Sequence, residues 1–531
     1  MPTFIKPGFW EKKQKGYDHW LNLDQLITSL SPPAAPSPFE YNANLTGIEP
    51  KLGTNTASGY YSTIGGGKYN NASGICSTVG GGYSNTASGI CSFVGGGSKN
   101  IASNSYSAIG GGLQNTASNP YSTVSGGQGN TASGFYSTVG GGKYNTVSQE
   151  RSVVSGGYNN IASGISSTVG GGLLNTASCT YSTIAGGYNN TASGSSSFVG
   201  GGISNTSSGL HSTVGGGSIN TASGVNATIG GGCQNTASNF YSTVSGGYSN
   251  TASANYSIVG GGSGNTASAY YSTISGGSSN TASNRYSTIG GGRYNTASNY
   301  YSTIGGGNNN LASGVYSSVV GGKNNISSSN YTTIGGGLLN TSSSNYSTIG
   351  GGQGNTASNG YSTIGGGQGN TASGYKSTVG GGYSNIASNG YSTVSGGKYN
   401  TASGNKSTIS GGNGNNASNN YSTVGGGYNN TASNGYSTIG GGGSNTASGD
   451  SSTIAGGYSN ISSGVASAIL GGASNTTNTC ACAMIVGSNL TADRVCATFV
   501  NNLSIKNIPT ASAGLPSGSV WRSGTALCIV P

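Results

Sequence analysis

An asparagine recurs at every fifteenth position from Asn55 through Asn70, Asn85 and Asn100 to Asn475, without one insertion or deletion. Loops have no reason to keep such a phase, whereas a structure in which each repeat rests on the one before must keep it. Other slots keep the same time. The slot of Ile64 is Ile or Val in every repeat through Ile469, and that of Ala57 is Ala apart from Val147, Ser207, Ser327, Ser342 and Ser462. The slots of Gly66 and Gly67 are Gly throughout, up to Gly471 and Gly472.

Ala57 to Ile64 is seven residues and Ile64 to Ala72 is eight. Each repeat therefore divides into two near-equal halves, each with one inward apolar residue and one glycine-bearing corner. Stretches such as Tyr61-Ser62-Thr63-Ile64 hold aromatic and β-branched residues that suit short strands, and the Gly-Gly-Gly that follows cannot continue a helix. The chain is expected to be all-β, a parallel β-solenoid of fifteen-residue coils over residues 55–475. Its core ladder is expected at Ala57, Ile64, Val79, Val94, Ile109, Val244, Ile304 and Ile454. At the ~4.8 Å spacing of strands in a sheet, the coils would build a rod of roughly 130 Å. One Ala and one Ile or Val per coil supply ~2–4 kcal/mol of burial. The ordering cost is of order 1 kcal/mol or more for each residue. A lone chain looks under-supplied, so chains that bury the Ile/Val stripe against one another are expected, most simply as a homotrimer.

With 104 Gly among 531 residues and only 5% charged, composition alone would suggest a disordered chain, but strict register overrules that reading. The net charge is +10, yet the Lys and Arg of the repeats are too sparse for a nucleic-acid groove and favour loose contact with an anionic surface. His19 and His211 sit in unlike contexts and no acid recurs in the repeat, so triads, paired carboxylates and metal clusters have nothing to be built from. Cys76 and Cys91 share one slot in adjacent repeats, near enough in principle for a bridge, but they read first as substitutes in the Tyr slot. Cys480-Ala481-Cys482, Cys496 and Cys528 lack the spacing of a zinc site. Gly-Gly-Gly lacks the Lys-Ser/Thr of a phosphate cradle. These features exclude the common enzyme classes, and no cofactor is expected.

Residues 1–30 concentrate the large apolar side chains that the repeat avoids. They read either as a cap over the first coil or, since the segment does not abut the repeat, preferably as an anchor, with Phe9, Trp10, Trp20 and Leu23 docking into a larger assembly. Residues 31–54 form a Pro-rich linker and lead-in. After Asn475 the register breaks, with Leu490 where Asn is due, and residues 476–531 read as a capping or tip region. The start shows no secretory signal, which places assembly in a cytoplasm. Along the repeats, the Tyr61 slot holds an unbroken Tyr run that includes Tyr241, Tyr256, Tyr271, Tyr286 and Tyr301. Such a column stabilises a sheet through same-face neighbours; as a functional feature it would be a sugar- or surface-binding stripe.

The unit Asn-Thr-Ala-Ser-Gly-x-Tyr-Ser-Thr-Ile-Gly-Gly-Gly, seen at residues 55–67, is similar to the head repeats of YadA-like trimeric adhesins, and the likeness extends to about residue 490. It implies a left-handed β-roll of three chains. That family is secreted through a signal peptide and ends in a membrane-anchoring barrel, neither of which is visible here, and its coil is shorter than fifteen residues. The termini, Phe4-Ile5-Lys6-Pro7-Gly8-Phe9-Trp10 and Gly514-Leu515-Pro516-Ser517-Gly518-Ser519-Val520-Trp521, resemble the ends of phage and large-virus structural proteins. Together these imply a virion fibre with its N-terminus on a virion structural protein and its far end on a host cell-surface glycan or protein. A self-assembling extracellular filament or surface adhesin is the alternative. An ice-binding solenoid is a further one, for which the Thr63 slot offers a ladder that a neighbouring Tyr column would roughen.

Overall fold

The structure is a computed structural model that describes residues 39–41, 47–50, 54–504, 506–523 and 525–530. Two units divide between Asn159 and Asn160. In the first, Phe39–Tyr41 pairs antiparallel with Gly47–Pro50, which runs parallel to Ser62–Ile64. From there each coil contributes two strands of two or three residues. Thr56–Ala57 pairs in parallel with Asn71–Ala72, and Ser62–Ile64 with Thr78–Val79, each residue facing its counterpart fifteen positions on. The result is two parallel sheets per unit, an alanine-side sheet and an isoleucine-side sheet. They are joined by a tyrosine corner (slots 59–61) and a glycine corner (slots 65–69).

The second unit repeats the pattern from Ile161–Ala162 to Ala468–Ile469. Parallel stacking then outlasts the sequence repeat: Ile469 faces Ile485, and Ile485 faces Phe499. Leu490, in the asparagine slot, still donates its backbone N–H to Asn475 Oδ1 at 3.0 Å. Val520–Ser523 and Ala526–Ile529 close the chain as an antiparallel hairpin. Among the described residues no helix is present.

The interior of a coil is half polar. Asn70, Ala72, Ser77 and Val79 are all essentially inaccessible. Buried polar groups need partners, and the asparagine has three. In the first unit, Asn70 Nδ2 donates to Gly66 O and to Gly82 O, both at 3.0 Å, while Asn70 Oδ1 accepts the backbone N–H of Asn85 at 2.9 Å. The second unit repeats this at Asn280, whose Nδ2 reaches Gly276 and Gly292 and whose Oδ1 accepts from Asn295. Each asparagine thus ties its own glycine corner to that of the next coil. The serines in the alanine slot obey the same rule. Ser207, Ser327, Ser342 and Ser462 each hydrogen-bond across the core to the hydroxyl five residues on, at 2.6–2.7 Å.

The two invariant glycines differ. Gly67 has φ +86, and a Cβ there would lie 2.0 Å from Gly82 O and 2.8 Å from Asn70 Nδ2. Only glycine fits a left-handed backbone packed so closely. A Cβ on Gly66 meets nothing within 4 Å.

One expectation is corrected. The residues named for the core ladder, Ala57, Ile64, Val79, Val94, Ile109, Val244, Ile304 and Ile454, have 0% exposure within a single chain. The Ile/Val stripe is closed inside each coil, so none of it is left to share with sister chains. The apparent shortfall arose from counting only two inward residues per coil. The asparagine column and those serines whose hydroxyls are bonded, such as Ser107 to Asn104 O, with backbone bonds such as Thr63 N–H to Ser77 O at 2.9 Å, add net contributions of about 0.5–1.5 kcal/mol per hydrogen bond. The hydroxyls of Ser62, Ser77, Ser92, Ser197, Ser362 and Ser452 are buried without a partner among the described residues.

Candidate functional site

At the tyrosine corner the chain turns between its two sheets, and it does so through a left-handed residue. Tyr61 has φ 59, and the same slot runs through Tyr241, Tyr256, Tyr271, Tyr286 and Tyr301 at φ 51–59. The sequence pattern placed Tyr61 in a strand; the structure places it at the corner, just before Ser62–Ile64. A left-handed backbone costs a non-glycine residue roughly 1–2 kcal/mol and persists only where the surroundings over-determine it. Here the preceding coil supplies that constraint, as in the backbone bond from Tyr256 N–H to Phe240 O at 2.8 Å.

Positioned in this way, the phenols stack. From Tyr241 to Tyr361 successive ring centroids lie 4.7–5.4 Å apart with interplanar angles of 1–15°. Coplanar rings cannot approach so closely, so the faces cover one another in an offset stack. What the column offers outward is ring edge and hydroxyl. Tyr241, Tyr271 and Tyr301 are 46%, 41% and 37% exposed, and Tyr256 and Tyr286 are half-buried. Phe240, Tyr270 and Tyr300 stand edge-on to their neighbours Tyr241, Tyr271 and Tyr301.

Cations enter the same column further along. Lys376 Nζ lies 5.7, 5.4 and 5.5 Å from the rings of Tyr361, Tyr375 and Tyr391, a cation–π cluster. Lys406 Nζ donates to Tyr421 Oη at 2.9 Å, and that hydrogen bond raises the lysine's affinity for its proton. Crowding of phenols has the opposite electrostatic meaning. Tyr271 titrates above the usual phenol value because of its hydrogen bond with Tyr270, partial desolvation and the nearby phenols of Tyr256 and Tyr286. Tyr301 is raised by desolvation and by Tyr286, Tyr300 and Tyr316.

Cys76 and Cys91 occupy this corner in adjacent coils as free thiols, and the Cys91 thiol is pushed up by partial desolvation and by Cys76. Among the described residues no group of three or more His, Cys, Asp or Glu is placed to hold a metal ion, and no helix is long and apolar enough to cross a membrane. Phe9, Trp10, Trp20 and Leu23 lie outside the described residues. Sequence reasoning missed the inward asparagine and serine columns. Their signal was present, since the asparagine never varies, but it had served only to mark the phase.

The ubiquitous surface protein adhesin repeat family matches residues 182–194. That segment runs from the isoleucine-side strand through the glycine corner to the alanine-side strand Thr191–Ala192. The match and the parallel solenoid of fifteen-residue coils fit a YadA-like adhesin repeat. They fit a surface adhesin or fibre. No curated protein matches the chain.

Proposed function

We propose that this protein is a virion fibre, a non-enzymatic spacer that holds a host-surface contact away from the particle. The observation that supports the reading most directly is the exposed tyrosine column on a solenoid whose interior is complete without it, in a chain that matches an adhesin repeat. Residues 1–30 would dock on a virion structural protein, residues 55–475 would serve as the spacer, and residues 476–531 would form the tip. A column of ring edges and hydroxyls, interleaved with Lys376 and Lys406, suits hydrogen bonding to a glycan or protein surface better than stacking on sugar faces. Many weak contacts in a row add by avidity. Self-association, most simply as a homotrimer, belongs to the same proposal; with the Ile/Val stripe closed, it would use sheet faces or corners.

Immunogold labelling of purified particles tests the reading. Gold on the particle surface, lost when residues 1–30 are deleted, is expected. Endless filaments with bare particles would overturn it in favour of a self-assembling filament. Sedimentation of the purified protein tests the trimer.

A further inference from the structure

The second unit holds a face that the tyrosine column does not explain. From Asn160 to Asn284 there is no Lys, Arg, Asp or Glu. Across this stretch the alanine-side sheet presents Thr in eight successive coils, Thr176 to Thr281, each in register with the next. Strand alternation turns Ala177 inward and brings Ser178 back to the outer side. The Ser178 slot is Ser in every coil, and the backbone ladder continues through it, with Ser178 N–H donating to Ala192 O at 3.0 Å and Ser193 N–H to Ser207 O at 2.9 Å. The threonines of this run are half-buried and most of the serines are exposed.

The surface is therefore a two-column grid of hydroxyl-bearing side chains, with periods of ~4.8 Å between coils and roughly 6.6 Å between Thr and Ser along a strand. An uncharged grid gives no attraction to an anionic glycan, a nucleic acid or a lipid headgroup layer. A crystalline neutral polysaccharide is gripped by open aromatic faces, whereas the phenols that border the later coils of this face, from Tyr241 on, cover one another in a stack. Over the coils of Thr176 to Thr221 the neighbouring corner carries Tyr181, Ser196, His211 and Asn226. Over those coils, where Tyr181 alone remains, the corner is less rough than the tyrosine column that resumes at Tyr241. Hydroxyls both donate and accept, and a rigid array that holds them in register has already met the ordering cost of placing water molecules at fixed intervals.

We propose that the threonine–serine face of residues 176–283 binds ice, a surface of water molecules at fixed intervals to which such hydroxyls can hydrogen-bond. The test uses the full chain in measurements of thermal hysteresis and of ice-recrystallisation inhibition. The native protein is expected to open a gap between melting and freezing and to keep crystals small. T221K with T236K, on the alanine-side face, should abolish both effects. T228K with T243K, on the isoleucine-side strands of the same coils, should leave them unchanged. T221L with T236L guards against misfolding, since the slot already accepts Leu311, and should lose most of the gap with circular dichroism unaltered. The proposal is overturned if the native chain shows neither effect, if a folded alanine-face variant keeps both, or if both faces matter equally. Retention on crystalline cellulose without ice activity would overturn it in favour of a neutral glycan.

Discussion

Two columns run through every coil under the same fifteen-residue translation, and they respond oppositely to change. The buried asparagine column admits only Asn from Asn55 to Asn475, whereas the exposed tyrosine column also accepts Cys76, Arg151, Ser166, His211, Asn226, Lys376 and Ala466. Stacking alone does not demand a residue type. The asparagine is held because two carbonyls and one N–H of its own and the next turn close on its side chain, each losing a hydrogen bond without it. The tyrosine corner asks only for a left-handed backbone, which the preceding coil enforces whatever the side chain, so that corner is free to vary and to acquire a surface role.

The sharpest way to break this contrast is at the glycine corner to which the asparagine binds. In Gly277→Ala the new methyl would sit 2.0 Å from Gly292 O and 2.6 Å from Asn280 Nδ2 at φ +92. A loss of about 3 kcal/mol or more is expected, read as accelerated hydrogen exchange in the flanking coils. Gly276→Ala, where the methyl meets nothing within 4 Å, should cost less than about 1 kcal/mol. Asn280→Ala comes next. It leaves Gly276 O, Gly292 O and Asn295 N–H without their side-chain partner, and about 2–4 kcal/mol of local stability should be lost.

On the exposed side, Tyr301 stacks on Tyr286 and Tyr316 at 4.7 Å each. Tyr301→Ala should cost about 0.5–1.5 kcal/mol while lowering retention of the protein on host cells; equal loss from Asn280→Ala and Tyr301→Ala in hydrogen exchange would erase the comparison. The smallest effect is electrostatic. Tyr271, Tyr301 and Tyr399 hold their protons more tightly in the fold. Their contribution is complete below the ordinary phenol value near 10 and falls as pH rises, because the unfolded chain releases its phenol protons first. Ultraviolet titration of phenolate should lie above that of the unfolded protein, and Tyr256→Phe should move Tyr271 back toward it.

Much of this was legible before any coordinates. Ile64 and Ala72 lie eight residues apart and Ala57 and Ile64 seven, which is enough to place two strands and two corners in each coil. Tyr61 was harder. Its neighbours Ser62 and Thr63 favour a strand, and nothing in the residue type announces a left-handed backbone. The interior polar columns were harder still, because Asn and Ser are surface residues on average, and Asn70 becomes an interior one only through Gly66 and Gly82, four residues before it and twelve after.

The sequence by itself determined the period, the parallel stack and the inward Ala and Ile/Val slots, since translation by one coil surrounds every residue with copies of its own slot and so writes the spacing directly into the chain. Only the tertiary structure decided that the stripe is closed within one chain, that asparagine lies inside, and that the phenols stack face over face at a corner. Those outcomes depend on how closely carbonyls, backbones and rings of adjacent coils approach in space, a distance that no spacing along the chain encodes.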